Sequence, residues 1–425
     1  MRVWLVTVGE PLPSDPGNER LLRAGIVADM LVARGHEVVW WSSTFNHPLK
    51  TFRATSDVTI HVRPNYRIEL LHGGGYPRNV SLKRVRDHRR LAARFHARAQ
   101  RQERPDVILC SLPPLELALA AVEYGQRLRV PVVVDVRDLW PDIFIDVIPR
   151  PLRPLARVAM QPLEAIAQQA CTGATAIWGH AAAFVDWGLQ HASRTATTLD
   201  RTFPFGYVST EPTAAEITQS VQTWRTLGVA RENEKLIACF VGTVGQQTDV
   251  ASLVDTARLL GTNPRVQIVI CGTGTRLDEL MQRSKGLTNI IFAGWRQRPE
   301  IWTLLRMASV GVAPYVARKD FINTIPNKVP EYLSAGLPVA LNLTSGVMYD
   351  LLLREGCGFS YENSPARFAE QLMALDNEPA RLQAMRIEAL RVFNERFLAE
   401  RVYGDMITAL EQIAAQELLS SRLSP

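Results

Sequence analysis

Of the six lysines in this 425-residue chain, Lys328 occupies the position with the clearest chemical implication. It lies in the segment Asn323-Thr324-Ile325-Pro326-Asn327-Lys328-Val329-Pro330-Glu331-Tyr332-Leu333-Ser334-Ala335-Gly336-Leu337-Pro338-Val339. Asn327 is a good helix N-cap, and Pro330 is tolerated in a first turn, where its missing N–H would have no intrahelical partner. Gly336 stops the helix and Pro338 prevents its resumption. A helix of about two turns is predicted, with Lys328 at its electropositive end. A cation there is unfavourable unless an anion is bound as well. The plainer alternative is a surface lysine at a helix start.

Other positions suit an anionic ligand. In open parallel sheets ligands bind beyond the carboxyl ends of strands, where helix N-termini present unpaired N–H groups. Four strand-to-helix loops have the small residues this requires: Gly9 through Gly17-Asn18, Gly242–Gly245, Gly272–Gly274, and the loop before Lys328. Taken singly, each reads equally as a plain turn. Neither Gly242–Gly245 nor Gly272–Gly274 completes GxGxxG, and no GxxxxGK[ST] occurs, which argues against a dinucleotide fingerprint and a P-loop. The eight histidines form no HxxxH or HxH pair and the five cysteines no CxxC, so neither a metal site nor a cofactor is expected. The cysteines read as small hydrophobes.

These residues must be positioned by regular elements. The first half alternates strand and helix: Val3–Val8, Arg20–Ala33, His36–Trp41, Ser81–Gln102, Pro105–Cys110, Leu115–Leu128, Val130–Asp135 and a strand near Ala174–Ile177. The pattern restarts at Leu236–Val241, followed by Val250–Leu260, Val266–Cys271, Ile290–Ala293, Pro299–Ala308 and Val310–Ala313. Strands apolar on both faces belong to parallel sheets covered by helices. Two such series predict an α/β protein of two Rossmann-like, doubly wound domains. The expected division is an N-terminal domain over 1–210 and a second over 211–399. The boundary falls in the polar stretch Thr210–Thr223, and a helix over about 400–425 is a candidate to pack back on the first domain.

Charge is uneven. Between Arg78 and Arg104 stand ten Arg or Lys against two acids, Asp87 and Glu103, although the whole chain carries only +6. Such a basic stretch fits an anionic membrane surface, a phosphorylated substrate or nucleic acid; a solvated helix face is the bland alternative. Nucleic acid is disfavoured, because aromatic interleaving and recognition motifs are missing. No run reaches the roughly 18 to 20 apolar residues that span a bilayer. The N-terminus runs straight into an apolar strand and lacks a signal-peptide pattern, so a cytoplasmic location is expected.

The Asn323–Val339 segment resembles the nucleotide-sugar motif of family 4 glycosyltransferases of the GT-B fold, in the branch that builds bacterial surface polysaccharides. The likeness extends to Val241-Gly242-Thr243, Ile270-Cys271-Gly272-Thr273-Gly274, Asn289–Gly294 and Ala308–Pro314, and more loosely to Asp135–Asp142. The resemblance implies two domains facing a central cleft, and retaining transfer of a sugar from a UDP- or GDP-linked donor to a saccharide or polyprenyl-linked acceptor. By position, Glu331 would hold the donor ribose hydroxyls, as a carboxylate accepting two hydrogen bonds can. Lys328 would neutralise the diphosphate, and Gly242 and Thr243 would bring backbone amides close to it. Gly294, Trp295 and Arg296 would meet the nucleobase, with Gly272 and Gly274 bounding the pocket. Gly17 and Asn18 complete the expected donor set with Asn323 and Asn327.

Asp138, in the turn Asp138-Leu139-Trp140-Pro141-Asp142, would position the acceptor or take its proton; a helix-capping Asp beside a core Trp140 is the structural alternative. The first domain would hold the acceptor, with inner-leaflet contact through Arg78–Arg104 beside Tyr76 and Phe95. Two departures stand out. Asn323 replaces the family's usual second Glu, and Thr243–Asp249 contains no Arg or Lys where a basic pair is common. A nucleotide-sugar epimerase of the same fold and a non-catalytic nucleotide-sugar binding protein are the competing expectations.

Overall fold

The apolar runs of the first half become strands because both of their faces are covered. In chain order they are β1 (Arg2–Val6), β2 (Glu37–Ser43), the hairpin β3 (Phe45–Asn46) and β4 (Thr51–Phe52), and β5 (Val58–Arg63). Then come β6 (Tyr66–Leu71), β7 (Val107–Leu112), β8 (Val132–Val136), β9 (Ala176–Gly179) and β10 (Arg201–Thr202). Eight of them share one sheet in the order β10-β9-β8-β7-β1-β2-β6-β5, parallel except where β5 meets β6. The chain builds outward from β1 in one direction and then returns to β7 on its other side. The strand order therefore reverses between β1 and β7, where Val3 pairs with Val107.

The connecting helices are α1 (Arg23–Ala33), α2 (Leu82–Ala99), α3 (Leu115–Leu128), α4 (Asp142–Asp146), α5 (Arg153–Gly173) and α6 (Ala182–Ala192). Helix α2 seats one face on an aromatic cluster in which Trp41 and Phe95 lie 5.0 Å apart and Trp4 and Tyr124 4.9 Å apart. Phe95 is wholly buried and Tyr76 nearly so, which corrects the expectation that they face a membrane beside the basic helix. The basic run is also partly neutralised within the fold, Arg94 pairing with Asp57 at 2.9 Å and Arg98 with Glu69 at 2.5 Å.

The second half holds α7 (Ala214–Thr226), β11 (Leu236–Val241), α8 (Ala251–Leu260), β12 (Val266–Cys271), α9 (Leu277–Arg283), β13 (Ile290–Gly294) and α10 (Arg298–Met307). It continues through β14 (Val310–Ala313), α11 (Lys319–Ile322), α12 (Lys328–Ser334), β15 (Val339–Leu341), α13 (Val347–Arg354), β16 (Gly358–Ser360), α14 (Pro365–Asn377) and α15 (Pro379–Arg396). The sheet order is β13-β12-β11-β14-β15-β16, all parallel. Numbered within the unit this is 3-2-1-4-5-6, the Rossmann order, and it reverses between β11 and β14. Helix α7 occupies much of the polar stretch expected to be a linker. Thr213 and Glu216 close a capping box at its start, and Trp224 near its end is wholly buried in the core of the unit.

This computed structural model describes residues 1–16, 20–146, 148–230, 235–261, 263 and 265–423. They form two compact units, one from Met1–Pro204 with Val402–Pro425 and the other from Phe205–Arg401. The final helix, α16 (Ala399–Leu423), joins the first unit from Val402 onward. There Arg34 donates to the Gly404 carbonyl at 3.2 Å, and the His36 ring meets Glu411 at 2.8 Å. Gly17 and Asn18 lie outside the described residues. All five cysteines are buried and unpaired. Among the described residues no helix is long and apolar enough to cross a membrane.

Candidate functional site

In an open α/β sheet the reversal of strand order leaves a crevice beyond the carboxyl ends of the two strands concerned, because their helices depart on opposite faces. In the second unit those strands are β11 and β14. Tyr332 fixes what stands there. Its ring is wholly buried, its hydroxyl accepts the Val241 N–H at 2.9 Å, and it reaches the Val312 carbonyl at 3.3 Å. One side chain of α12 is thus tied to the last turns of both strands. Gly311 makes room for it, since a Cβ there would stand 2.5 Å from the Tyr332 ring.

With α12 held, Lys328 and Glu331 emerge three residues apart on one helix face. The Lys328 side chain crosses Gly242: a Cβ on that glycine would lie 2.5 Å from Lys328 Cε and 3.4 Å from Nζ. Gly242 therefore supplies room for the lysine. Its own N–H donates to the Cys271 carbonyl at 2.8 Å, extending the sheet, and Val244 N–H donates to Thr273 at 2.9 Å. This corrects the expectation that the Gly242 amide faces a phosphate. Gly272 packs equally close, with φ +142° and a would-be Cβ only 1.7 Å from the Gly242 carbonyl oxygen. A Cβ on Gly274 would stand 2.1 Å from the Val244 carbonyl oxygen. The two glycine loops and the lysine are thereby compressed into one patch, with Thr243 exposed at its rim.

Glu331 Oε1 accepts the Tyr207 hydroxyl at 3.2 Å, which orients the carboxylate. Asn327 stands at the expected N-cap position, but it is exposed in helical conformation and its side chain makes no capping bond. The preceding turn instead carries its own bond, Val329 N–H to Pro326 O at 3.0 Å, and leaves the Asn side chain outside. Asn323 is half-buried. Beyond β13, Gly294 turns the chain at φ +69° and leaves Trp295 69% exposed, a ring with a free face for stacking. Arg296 folds back, donating to Ala293 O at 2.8 Å and meeting Glu300 at 3.3 Å, so its guanidinium stabilises the turn.

The first unit has its own crevice at the β1/β7 reversal. A cavity of about 160 Å³ lies there, lined among others by Gly9, Phe45, His47, Tyr76, Arg84 and His88. Tyr76 hydroxyl meets His47 Nδ1 at 2.7 Å, and two cations stack on its ring: Lys50 at 4.9 Å and Arg84 at 5.3 Å. Burial, then the charges of Lys50 and Arg84, depress the His47 pKa to about 4, so the ring is neutral at pH 7. Burial, then Arg84 and His47, take His88 to about 3. Asp87 also lines this cavity, and its Oδ1 accepts the Gly74 and Gly75 N–H groups at 2.7 and 2.8 Å. Asp138 caps the Leu139 N–H at 3.2 Å, and its charge acts on Arg84. The structural alternative for this turn is what these contacts match: Asp138 makes a local backbone bond, and Trp140 is buried.

Behind this crevice lies a buried ionic chain. Asp135 bonds Arg23 at 3.0 Å and Arg137 at 2.8 Å, and Arg137 reaches Glu10, whose other oxygen accepts Ala24 N–H at 2.9 Å. Burial pushes the Asp135 carboxyl up, but Arg23 and Arg137 outweigh it and hold it below its usual range. The chain ties the end of β8 to the start of α1. Sequence reasoning missed it, as it missed Tyr207, Lys50 and His47, because the partners lie far apart along the chain.

Comparisons with known proteins agree with this geometry. Residues 235–377 match the family described as Glycosyl transferases group 1. The matched segment lies wholly within the second unit. Among solved structures it is similar to Anabaena HepE in complex with UDP, at 14% identity and TM-score 0.65 over 97% of this chain and 100% of that one. It is similar to sucrose-phosphate synthase from Thermosynechococcus elongatus, at 15% identity and TM-score 0.72 over 98% and 99%. WaaG, a glycosyltransferase involved in lipopolysaccharide biosynthesis, aligns at 12% identity and TM-score 0.64 over 96% and 99%. None of the curated proteins compared with the chain matches it in sequence. The fold is GT-B. The matched domain contains the Lys328 and Gly242 patch whole.

Proposed function

We propose that this glycosyltransferase takes a sugar from a nucleotide-diphosphate donor with retention of configuration and passes it to a saccharide or lipid-linked acceptor in cell-surface polysaccharide synthesis. The observation that carries the reading is the Lys328 side chain laid across Gly242 at the β11/β14 reversal, with Glu331 beside it. When the bond from the sugar C1 to the diphosphate oxygen breaks, its electron pair stays on the diphosphate. An ammonium fixed beforehand stabilises that charge as it develops. Glu331, oriented by Tyr207, is the acceptor for the ribose hydroxyls, and Trp295 is the platform for the base. HepE has been crystallised with UDP and with UDP-glucose, which favours a uridine donor here over a guanosine one.

The acceptor belongs to the first unit, at the β1/β7 crevice. Asp138 positions its hydroxyl or takes its proton, and a donor phosphate oxygen is the other base available. Arginines on the outer face of α2 would hold the protein at an anionic inner leaflet from the cytoplasmic side. The test is turnover. Radiolabelled UDP-glucose and GDP-mannose are offered with a lipid-linked oligosaccharide extract, and label is followed into the extract as nucleoside diphosphate appears. Label transfer that requires the extract supports the reading. Conversion of the donor sugar without any acceptor indicates an epimerase, and binding without turnover indicates a sensor.

A further inference from the structure

Beside the crevice of the first unit lies a second cavity, of about 370 Å³, between the start of α2 and helices α4 and α5. That volume falls within the roughly 300–1,000 Å³ of small-molecule sites. Its walls are apolar: Leu82, Val85, Trp140, Phe144, Met160 and Leu163. A globular protein normally closes such a surface over itself, yet Val80 and Leu82 stand 73% and 77% exposed at its rim. On the adjoining start of α5, Leu152, Leu155 and Val158 are exposed as well.

Arg84 and His88 line both this groove and the polar cavity at the β1/β7 reversal, so the two spaces share a wall. Arg84 is placed there by its own helix: Ser81 caps α2 by accepting Arg84 N–H at 3.3 Å. Its guanidinium lies 4.4 Å over Trp140, donates to Asn79 O at 2.9 Å, and has a buried Nε with no hydrogen-bond partner among the described residues. Burial pulls its pKa down even though Asp138 and Asp87 act on it. A ligand anion would relieve that cost. Lys50, whose Nζ lies 4.9 Å from the centre of the Tyr76 ring, provides a second cation for the same group.

We infer that the groove takes the hydrocarbon chain of a phosphate- or diphosphate-linked lipid acceptor, with the phosphate at Arg84 and Lys50 and the sugar-accepting head in the polar cavity. The inference rests on the transferase reading above and names its acceptor class. Charge complementarity decides for this occupant: Arg84 and Lys50 donate to neutral oxygens of Asn79, so a neutral apolar ligand would add no counter-charge, and a free sugar phosphate would leave the groove empty.

Equilibrium dialysis of the full chain against radiolabelled farnesyl diphosphate tests it, with farnesol and inorganic diphosphate as competitors. Farnesyl diphosphate is expected to bind at least tenfold more tightly than either competitor. Leu82→Asp, an exposed change that leaves the core alone, should weaken it about tenfold. Arg84→Gln should reduce it to the level of farnesol. Lys328→Ala should leave it unchanged, which separates this site from the donor site. Displacement by inorganic diphosphate as effective as by unlabelled farnesyl diphosphate overturns the inference, and so does an unaffected Leu82→Asp. Sedimentation with phosphatidylglycerol vesicles forms the second arm. If Leu82→Asp abolishes vesicle binding while the wild type takes up no farnesyl diphosphate, the groove is a bilayer contact and the inference is wrong. Because no sugar donor is present, this result is independent of whether Lys328 binds one.

Discussion

The Lys328 ammonium and the α-carbon of Gly242 occupy adjoining space, so that a methyl group on the glycine would displace the lysine, its Cβ falling 2.5 Å from Cε. The lysine is flexible and the backbone is not, so the lysine moves. Gly242→Ala should therefore fold with a melting temperature close to wild type while weakening UDP binding about tenfold. In a double-mutant cycle with Lys328→Ala the two losses should fall far short of additive, since both act through the same ammonium. Calorimetric titration of the four proteins checks this.

Gly272→Ala should behave differently. Its Cβ meets the Gly242 carbonyl oxygen, a backbone atom, at 1.7 Å, and φ is +142°. Neither conflict is relieved by a rotamer change. A loss of about 1–3 kcal/mol in urea unfolding is expected, at the level of overpacking in a well-packed core or above it. Wild-type stability for this variant would mean that the glycine loops are not so tightly packed.

Tyr332→Phe removes only an oxygen, yet it leaves the buried Val241 N–H without its 2.9 Å partner. The cost should be about 1–3 kcal/mol of stability. Donor affinity should fall as well, because α12 loses its tie between β11 and β14. Urea unfolding and UDP titration on the same variant measure both. A stability loss with unchanged affinity would show that Lys328 is positioned by something other than this hydroxyl.

Acid should destabilise the first unit through His47 and His88. Their folded pKa values, about 4 and about 3, lie below the ordinary 6.5 because burial and nearby cations oppose protonation. The unfolded chain then binds more protons than the folded one below pH 6.5, so stability falls as pH drops from there toward 4. His47→Gln should flatten the slope of unfolding free energy against pH in that window. An unchanged slope would mean that His47 is already protonated in the folded protein.

The longer parallel strands were legible from continuous apolar runs; Leu236–Val241, Val266–Cys271 and Val310–Ala313 match the observed strands residue for residue, whereas β10, β15 and β16 are too short to show such a run. The β5–β6 pair was missed although Val-Thr-Ile-His-Val-Arg alternates as a half-buried strand does, because it holds no continuous apolar run and its partner follows after a turn without glycine. The Lys328 segment was legible because proline, glycine and one lysine punctuate it. The role of Gly242 was misassigned: a glycine in a strand-to-helix loop suggests an amide offered to a phosphate, and only coordinates show that its N–H is bonded and its missing side chain is what matters. The Arg84, Lys50 and Tyr76 cluster was invisible for another reason. The basic run reads as one charged face, and nothing local marks the arginine that turns inward onto Trp140.

Titration calorimetry of UDP into the wild type, Lys328→Ala and Lys328→Arg tests the central assignment most directly. A loss of at least tenfold is expected for the alanine variant, with partial recovery for arginine, which keeps the charge but not the compact fit over Gly242. Equal affinity in all three proteins, with folding intact, would contradict it.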